Sequence, residues 1–327
     1  MTAAGLGLWA ALTIAVAGPA TSPEYLPLYV AEAAGYFAQE KLEVTLKVER
    51  SEGDAAQALA RGRADITATS LDAAYRLGHV AGAPPLLLFG LTAAPPVALF
   101  VSRHHTDSVR SPADLRGQMV GLPGVGTPEQ AMLATILARA GVKIHHVPLR
   151  TFSNRGLAGA LEKGEVAAGV MADPWVTRLS QDNVASILAD LRTRSDAARW
   201  LGAGTVHAAV FVRADGRPGD QELVALARAL LRAVARVSEA PADALASVLP
   251  ASVIGQRDDF ALRVAGARQS YLPGGRVTED VIKASIAQAR ERAALPSALK
   301  LPWWRWPPLL LGGPLQRAAE PSLAPAR

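Results

Sequence analysis

Few residue types in this sequence are equipped for covalent chemistry. None of the 327 residues is cysteine, which removes disulfides, thiolate metal sites, cysteine nucleophiles and a lipid-modified N-terminal cysteine. The six histidines fall as two adjacent pairs, His104–His105 and His145–His146, with His79 and His207 apart. Adjacent histidines on a strand point to opposite faces, so neither pair can chelate one ion from a regular strand. Neither pair has the i,i+4 spacing or the acidic partner of a helical zinc site. They read as solvated or packed side chains, with no metal site and no cofactor expected. No G-x-S-x-G nucleophile turn occurs either, and no catalytic residue is assigned. Binding chemistry is better supplied. In Gln118–Val142, QMVGLPGVGTPEQAMLATILARAGV, an apolar strand meets a glycine loop and then a helix begun by Thr127 and Pro128. Such a junction presents free backbone N–H groups, the positive end of a helix and the Thr127 hydroxyl, a seat for an anion or polar ligand at Gly126 and Thr127. The glycine order is neither a nucleotide P-loop nor a dinucleotide fingerprint.

The elements that position this junction alternate in type. Leu12 to Ala17 reads as a first strand, followed by a Gly18-Pro19 turn and a helix from Glu24 to Glu40 that ends near Gly35 or a turn later. Leu42 to Val48 alternates as a half-exposed strand, and Gly53 to Arg61 is a short helix. Ala64 to Thr69 is a strand, Ser70-Leu71-Asp72 caps the next helix, and Pro84 to Leu91 is a buried strand. Val97 to Val101 leaves this first domain. A second domain holds Gln118–Val142, a strand His145 to Leu149, a helix Asn154 to Leu161, a strand Val166 to Met171, a helix Pro174 to Leu179 and a strand Ser186 to Leu191. Val206 to Val212 returns, and helices over Asp220 to Val237, Asp258 to Leu272 and Thr278 to Ala293 follow. Strands alternating with helices of about ten residues predict mostly parallel sheets covered on both faces.

Composition narrows the classes of partner. Half the residues are hydrophobic and 19% charged, the make-up of a compact globular chain. Of the net charge of +5, +3 falls in residues 300 to 327. The body is nearly neutral and, with 5% aromatics, offers no nucleic-acid surface. Leu6 to Ala17 is an apolar run, but no Lys or Arg precedes Lys41, so a strand is favoured over a signal-peptide core and a membrane span is disfavoured. Trp303-Trp304-Arg305-Trp306 suits a membrane interface or a partner groove. The surrounding prolines forbid a continuous helix, and a loosely ordered tail is the favoured reading.

The order of motifs resembles the substrate-binding proteins of ABC importers for nitrate, sulfonates, taurine and thiamine precursors. The matching residues are Leu26-Pro27-Leu28-Tyr29-Val30-Ala31 with Gly35-Tyr36-Phe37, Gly62-x-Ala64-Asp65-Ile66, Asp114-Leu115-Arg116-Gly117 with Val120-Gly121, Ala160-Leu161-x-x-Gly164-x-Val166, Asp173-Pro174-Trp175 and Leu188-Ala189-Asp190-Leu191-Arg192. Together they cover about residues 12 to 292. The resemblance implies an α/β, two-lobed periplasmic-binding-protein-like fold with a helical C-terminal part. Residues 12–96 with 207–295 would form lobe 1, 97–206 lobe 2, and 296–327 an irregular Pro/Trp-rich tail, with two crossover segments as hinges. It implies a monomeric, extracytoplasmic solute receptor that captures a small molecule by closure and passes it to an ABC permease. A cytoplasmic location stays open.

Ligand contacts are then expected at Pro23, Glu24, Tyr25, Ser70, Leu71, Asp72 and Thr92 of lobe 1, and at Gly126, Thr127, Asn154, Asp173 and Trp175 of lobe 2. Ser70, Thr127 and Asp173 read equally as helix caps, and Trp175 as packing. Glu24, Asp72 and Asp173 would repel a sulfonate or nitrate unless they point away or pair with arginine. A neutral or cationic ligand, such as a pyrimidine or an amine-bearing solute, is therefore open. The rival on the same fold is an enzyme like the pyrimidine synthases of thiamine biosynthesis, whose cysteine cluster has no counterpart here, or a ligand sensor.

Overall fold

The computed structural model describes residues 10–77, 82, 84–125, 127–202, 206–215, 218–289 and 297–320. Among them ten strands form two five-stranded sheets: β1 (Ala10–Ala17), β2 (Leu42–Glu49), β3 (Ile66–Ser70), β4 (Leu86–Gly90), β5 (Val97–Ser102), β6 (Val120–Leu122), β7 (Leu149–Thr151), β8 (Ala168–Ala172), β9 (Ala185–Asp190) and β10 (Ala208–Val212). By their contacts the described residues divide into two compact units. The first draws on Met1–Thr92, Val206–Gly255 and Leu272–Arg327, and the second on Ala93–Thr205 and Gln256–Tyr271.

The first sheet runs β2-β1-β3-β10-β4, with β1 parallel to β2 and β3 and with β10 antiparallel to β3 and β4. In β1, Ile14 to Ala17 are wholly buried, the near-continuous apolar run of a strand covered on both faces. Over these residues the run is an interior strand. β2 lies at the edge and alternates in exposure, as its sequence pattern demands. The second sheet runs β7-β6-β8-β5-β9, parallel for β6 with β7 and β8, and antiparallel for β5 with β8 and β9. Each sheet is thus mixed. The reversed strands are β5 and β10, the two segments expected as crossovers.

Gly121 in β6 shows how close the second unit packs. A Cβ there would lie 2.1 Å from the Leu157 side chain, so only glycine lets the helix Asn154–Lys163 sit against the strand.

Local structure departs from expectation at four places. The helix expected over Glu24 to Glu40 opens as a 3-10 turn, Pro23–Tyr25, before a helix Leu26–Ala33 and a short turn Tyr36–Gln39; it ends near Gly35, at φ +69°, as expected. The strand expected at His145 to Leu149 is a 3-10 turn, Ile144–His146, with pairing deferred to Leu149 beyond Pro148, which has no N–H to give a ladder. His104 and His105 likewise sit in a turn, Arg103–His105, where their Nε2 atoms meet the carbonyls of Glu162 and Gly164 at 3.0 and 3.2 Å.

The third departure is Gln256–Tyr271, expected with the first lobe and grouped with the second unit. Arg178 grips Asp259 with two hydrogen bonds, Nε to Oδ1 at 2.7 Å, and Arg194 donates to the Tyr271 carbonyl at 3.1 Å. The fourth is the tail. Leu310 bridges to Leu87 in parallel, fixed by Leu87 N–H to Leu309 O and Leu311 N–H to Leu87 O at 2.8 Å each, and a helix Gly312–Ala319 follows. Leu299, Leu309 and Leu315 are buried. Its prolines forbid one long helix but permit an extended edge strand.

Candidate functional site

In the first unit, polar side chains gather at the carboxyl ends of β1, β3 and β4, where open α/β sheets place their ligands. The 3-10 turn after β1 delivers Pro23, Glu24 and Tyr25, all buried. After β2, Ser51 caps the helix Glu52–Ala60 by accepting from the Asp54 N–H at 3.1 Å, which sets Glu52 at its first position. Ser70 ends β3 and accepts from the Ala73 N–H at 3.3 Å, starting the helix Leu71–Leu77. β10 runs the other way, so His207 just before it arrives at the same end.

His207 Nε2 lies 3.8 Å from Glu24 Oε1 and 3.9 Å from Glu52 Oε1. Ser70 Oγ donates to Glu52 Oε2 at 2.6 Å, and Thr69 Oγ1 to the Glu52 carbonyl at 2.9 Å. Burial opposes a charge on His207, but its bond to Glu24 and the fields of Glu52, Glu24 and Asp72 raise its pKa above the ordinary imidazole value. Burial also raises Glu52, against the pull of His207 and Ser70. Burial first, then Glu52 and Glu24, drive the Tyr25 phenol well above its usual value. Two buried atoms here have no hydrogen-bond partner, Glu24 Oε2 and the hydroxyl of Tyr29, and the Tyr25 hydroxyl interacts with the Thr69 side chain. Asp72 is exposed at the margin.

Two further expected contacts hold the backbone. Thr92 is fully buried, its Oγ1 accepts from the Ala208 N–H at 3.3 Å, and its carbonyl takes the His207 N–H at 2.9 Å. Leu71 is buried and its N–H donates to the His207 carbonyl at 2.9 Å. Both hold the start of β10 and therefore the imidazole.

In the second unit the candidates are dispersed in role. Thr127 caps the helix Pro128–Arg139, accepting from the Gln130 N–H at 3.5 Å and donating to the Gly124 carbonyl at 3.1 Å. Gly126 lies outside the described residues. Asn154 is exposed, and the cap of its helix is Ser153, which accepts from the Gly156 N–H at 3.2 Å. Asp173 has a wholly buried side chain whose Oδ1 takes the Thr177 N–H and hydroxyl at 3.1 and 2.7 Å, with Arg192 at 3.9 Å. Burial raises its pKa, while Thr177 and Arg192 hold it down. Arg192 in turn binds Asp190 at 2.8 Å. Trp175 is half-buried beside Phe100, Leu157 and Met171, with the Arg178 guanidinium 5.2 Å from its ring centre. Asp173 is thus charge-paired within its own unit through Oδ1, while its buried Oδ2 has no hydrogen-bond partner.

Glu52 and His207 were not among the expected site residues. The signal for Glu52 was its place behind Ser51 at a helix start, like that of Asp72 behind Ser70. His207 gave none, because its partners lie far away in sequence. Among the described residues no group of three His, Asp or Glu side chains is arranged to hold a metal ion. The first-unit cluster combines acceptors, phenols and one imidazole around unmet hydrogen-bonding capacity, which suits recognition of a small polar molecule.

Comparison with known proteins bears on this arrangement. A family model described as NMT1/THI5 like matches residues 22–244. No curated protein matches the sequence. A solved structure from Bordetella bronchiseptica RB50 superposes with a TM-score of 0.73 at 24% identity, covering 94% of this chain and 96% of that one. The periplasmic aliphatic sulphonate-binding protein SsuA of Escherichia coli gives 0.70 at 14% identity, with 89% and 96% covered. The periplasmic nitrate-binding protein NrtA of Synechocystis PCC 6803 gives 0.62 at 12%, with 89% and 83% covered. The fold is that of the periplasmic-binding-protein-like structures.

Proposed function

Since the chain belongs to the NMT1/THI5-like family, we propose that it is the solute-binding receptor of an ABC uptake system, non-catalytic, working outside the cytoplasm and delivering a small molecule to a membrane permease. The observation that carries this reading is the buried cluster of the first unit, Glu24, Tyr25, Glu52, Ser70 and His207, with polar atoms that no protein group satisfies. Buried polar groups are almost always hydrogen-bonded, and a bound solute would complete these. Pro23 and Asp72 frame the cluster. Trp175 and Thr127 are the second unit's candidates for ligand contact. Capture by closure of the two units belongs to the same proposal and predicts a smaller radius of gyration in solution scattering when ligand is added.

The test is a thermal-shift and calorimetric screen against sulfonates, taurine, nitrate, pyrimidines and amines. A ligand at a hundred times its Kd stabilises the folded form by about 2.7 kcal/mol. The expected result is a saturable shift with the compound recovered unchanged. Recovery of a converted product would favour an enzyme on the same fold, and a panel without any shift would sink the receptor reading.

A further inference from the structure

We propose that the solute held by the first unit is a cation, carrying a protonated amine, amidine or guanidine that donates to Glu24 and Glu52. This rests on the receptor reading above and specifies its ligand. Two carboxylates, Glu24 and Glu52, face His207 at 3.8 and 3.9 Å, and a third, Asp72, adds its field from the exposed margin. No lysine or arginine of the described residues pairs with any of the three. Even with His207 protonated, the cluster keeps an excess of negative charge.

Hydrogen bonding points the same way. An ionised carboxylate only accepts. Glu24 is 8% exposed, and its Oε2 accepts from nothing in the protein although Oε1 faces His207. His207 directs Nε2 at both Oε1 atoms and leaves Oε2 unmet. The second Glu52 oxygen has Ser70 as its donor. A further donor must therefore come from the ligand, and an ammonium or amidinium is well suited, since charge-assisted bonds to carboxylate are the strong ones. Tyr25, 2% exposed in the field of both glutamates, and Tyr29 add aromatic surface of the kind that attracts cations. A sulfonate or nitrate brings only acceptors and negative charge, so it leaves Oε2 unmet and is repelled.

The experiment is a matched titration of the full chain by calorimetry at neutral pH. The cations are benzamidine, phenethylamine and agmatine, benzamide is the neutral control, and the anions are benzenesulfonate, ethanesulfonate and nitrate. Expected is saturable binding by at least one cation, at least tenfold tighter than benzamide, with no binding of the anions. In Glu24→Gln that affinity falls tenfold or more. Glu52→Gln serves as an independent second variant, and the melting temperature of each without compound separates loss of binding from loss of folding. If the anions bind and the cations do not, or benzamide binds as tightly as benzamidine, the cation proposal is overturned while the receptor reading stands. If nothing in either set binds, both fall.

Discussion

The two units each carry a buried group of charged side chains, and the two groups are balanced differently. In the second unit, Asp173, Asp190 and Asp259 are met by Arg192, Arg178 and Arg263: Arg192 binds Asp190 and faces Asp173, Arg178 grips Asp259, and Arg263 lies in the fields of Asp259 and Asp173. Among the described residues of the first unit, Glu24 and Glu52 have only His207 as an ion-pair partner, with Asp72 at the exposed margin. Each group hangs on the same kind of sequence feature, an acid beside a helix start behind a strand. The difference teaches that such an acid is charge-balanced or left in excess according to whether a distant arginine reaches it. A neutral group of charges stabilises its own unit, whereas a group with excess charge is stable only in part until something else arrives.

The largest expected effect tests the balanced side. Arg192→Ala strips the cation from Asp173, whose side chain is wholly buried, and from Asp190. Removing one partner of a buried pair leaves an uncompensated charge and costs about 3 to 5 kcal/mol. Denaturant unfolding should show a loss of about 3 kcal/mol. A loss under about 1 kcal/mol would mean that the second unit's charges do not hold it together.

On the unbalanced side the signature is in pH. The folded state raises the pKa of His207, so it binds a proton more readily than the unfolded chain does. That stability is fully present below the unfolded imidazole value of about 6.5 and is lost as pH rises through the higher folded value. The slope approaches about 1.4 kcal/mol per pH unit for one proton. Melting temperatures taken upward from pH 6 should fall across this window, and His207→Gln should flatten the fall. Glu52 is also raised, with the same sign in a lower window that opens above the ordinary carboxylate value. An unchanged profile in His207→Gln would remove the imidazole from the charge group.

Neutralising one acid should separate the units by sign. Glu52→Gln keeps an acceptor for the Ser70 hydroxyl while lifting a buried charge from a site already too negative. Stability should stay level or rise by up to about 1 kcal/mol. In the second unit, Asp190→Asn weakens the hold on Arg192 and should lower stability. Equal losses in both variants would erase the contrast.

Much of this frame is legible in the sequence because it is local. The apolar run of β1, the alternation of β2, and the caps Ser70 and Thr127 each depend on neighbours within four residues. The helix expected from Asn154 starts there, capped by Ser153. The charge groups are not local. His207 meets Glu24 and Glu52 only because β10 pairs antiparallel with β3, setting Ala208 opposite Ser70. Asp173 is charge-paired only because Arg192 comes beside it, and Gly266 packs against it, a Cβ there lying 3.1 Å from Asp173 Oδ2. The prolines of the tail likewise conceal a pairing of Leu310 with Leu87, more than two hundred residues apart.

The smallest effect compares two hydroxyl caps that look alike in sequence. Thr127 accepts from Gln130 N–H at the long distance of 3.5 Å and returns its own proton to Gly124. Ser70 accepts from Ala73 N–H and gives its proton to Glu52. Loss of a cap costs about 0.5 to 2 kcal/mol, and the weak bond places Thr127→Ala at the low end. Ser70→Ala should cost about 1 kcal/mol and also free Glu52 Oε2 to seek another donor. Its binding of a cationic solute should therefore change, while in Thr127→Ala affinity for that solute should stay within about twofold, since a shift of that size is under 1 kcal/mol. A larger change in Thr127→Ala than in Ser70→Ala would transfer ligand recognition to the glycine loop of the second unit, where the sequence alone first suggests it.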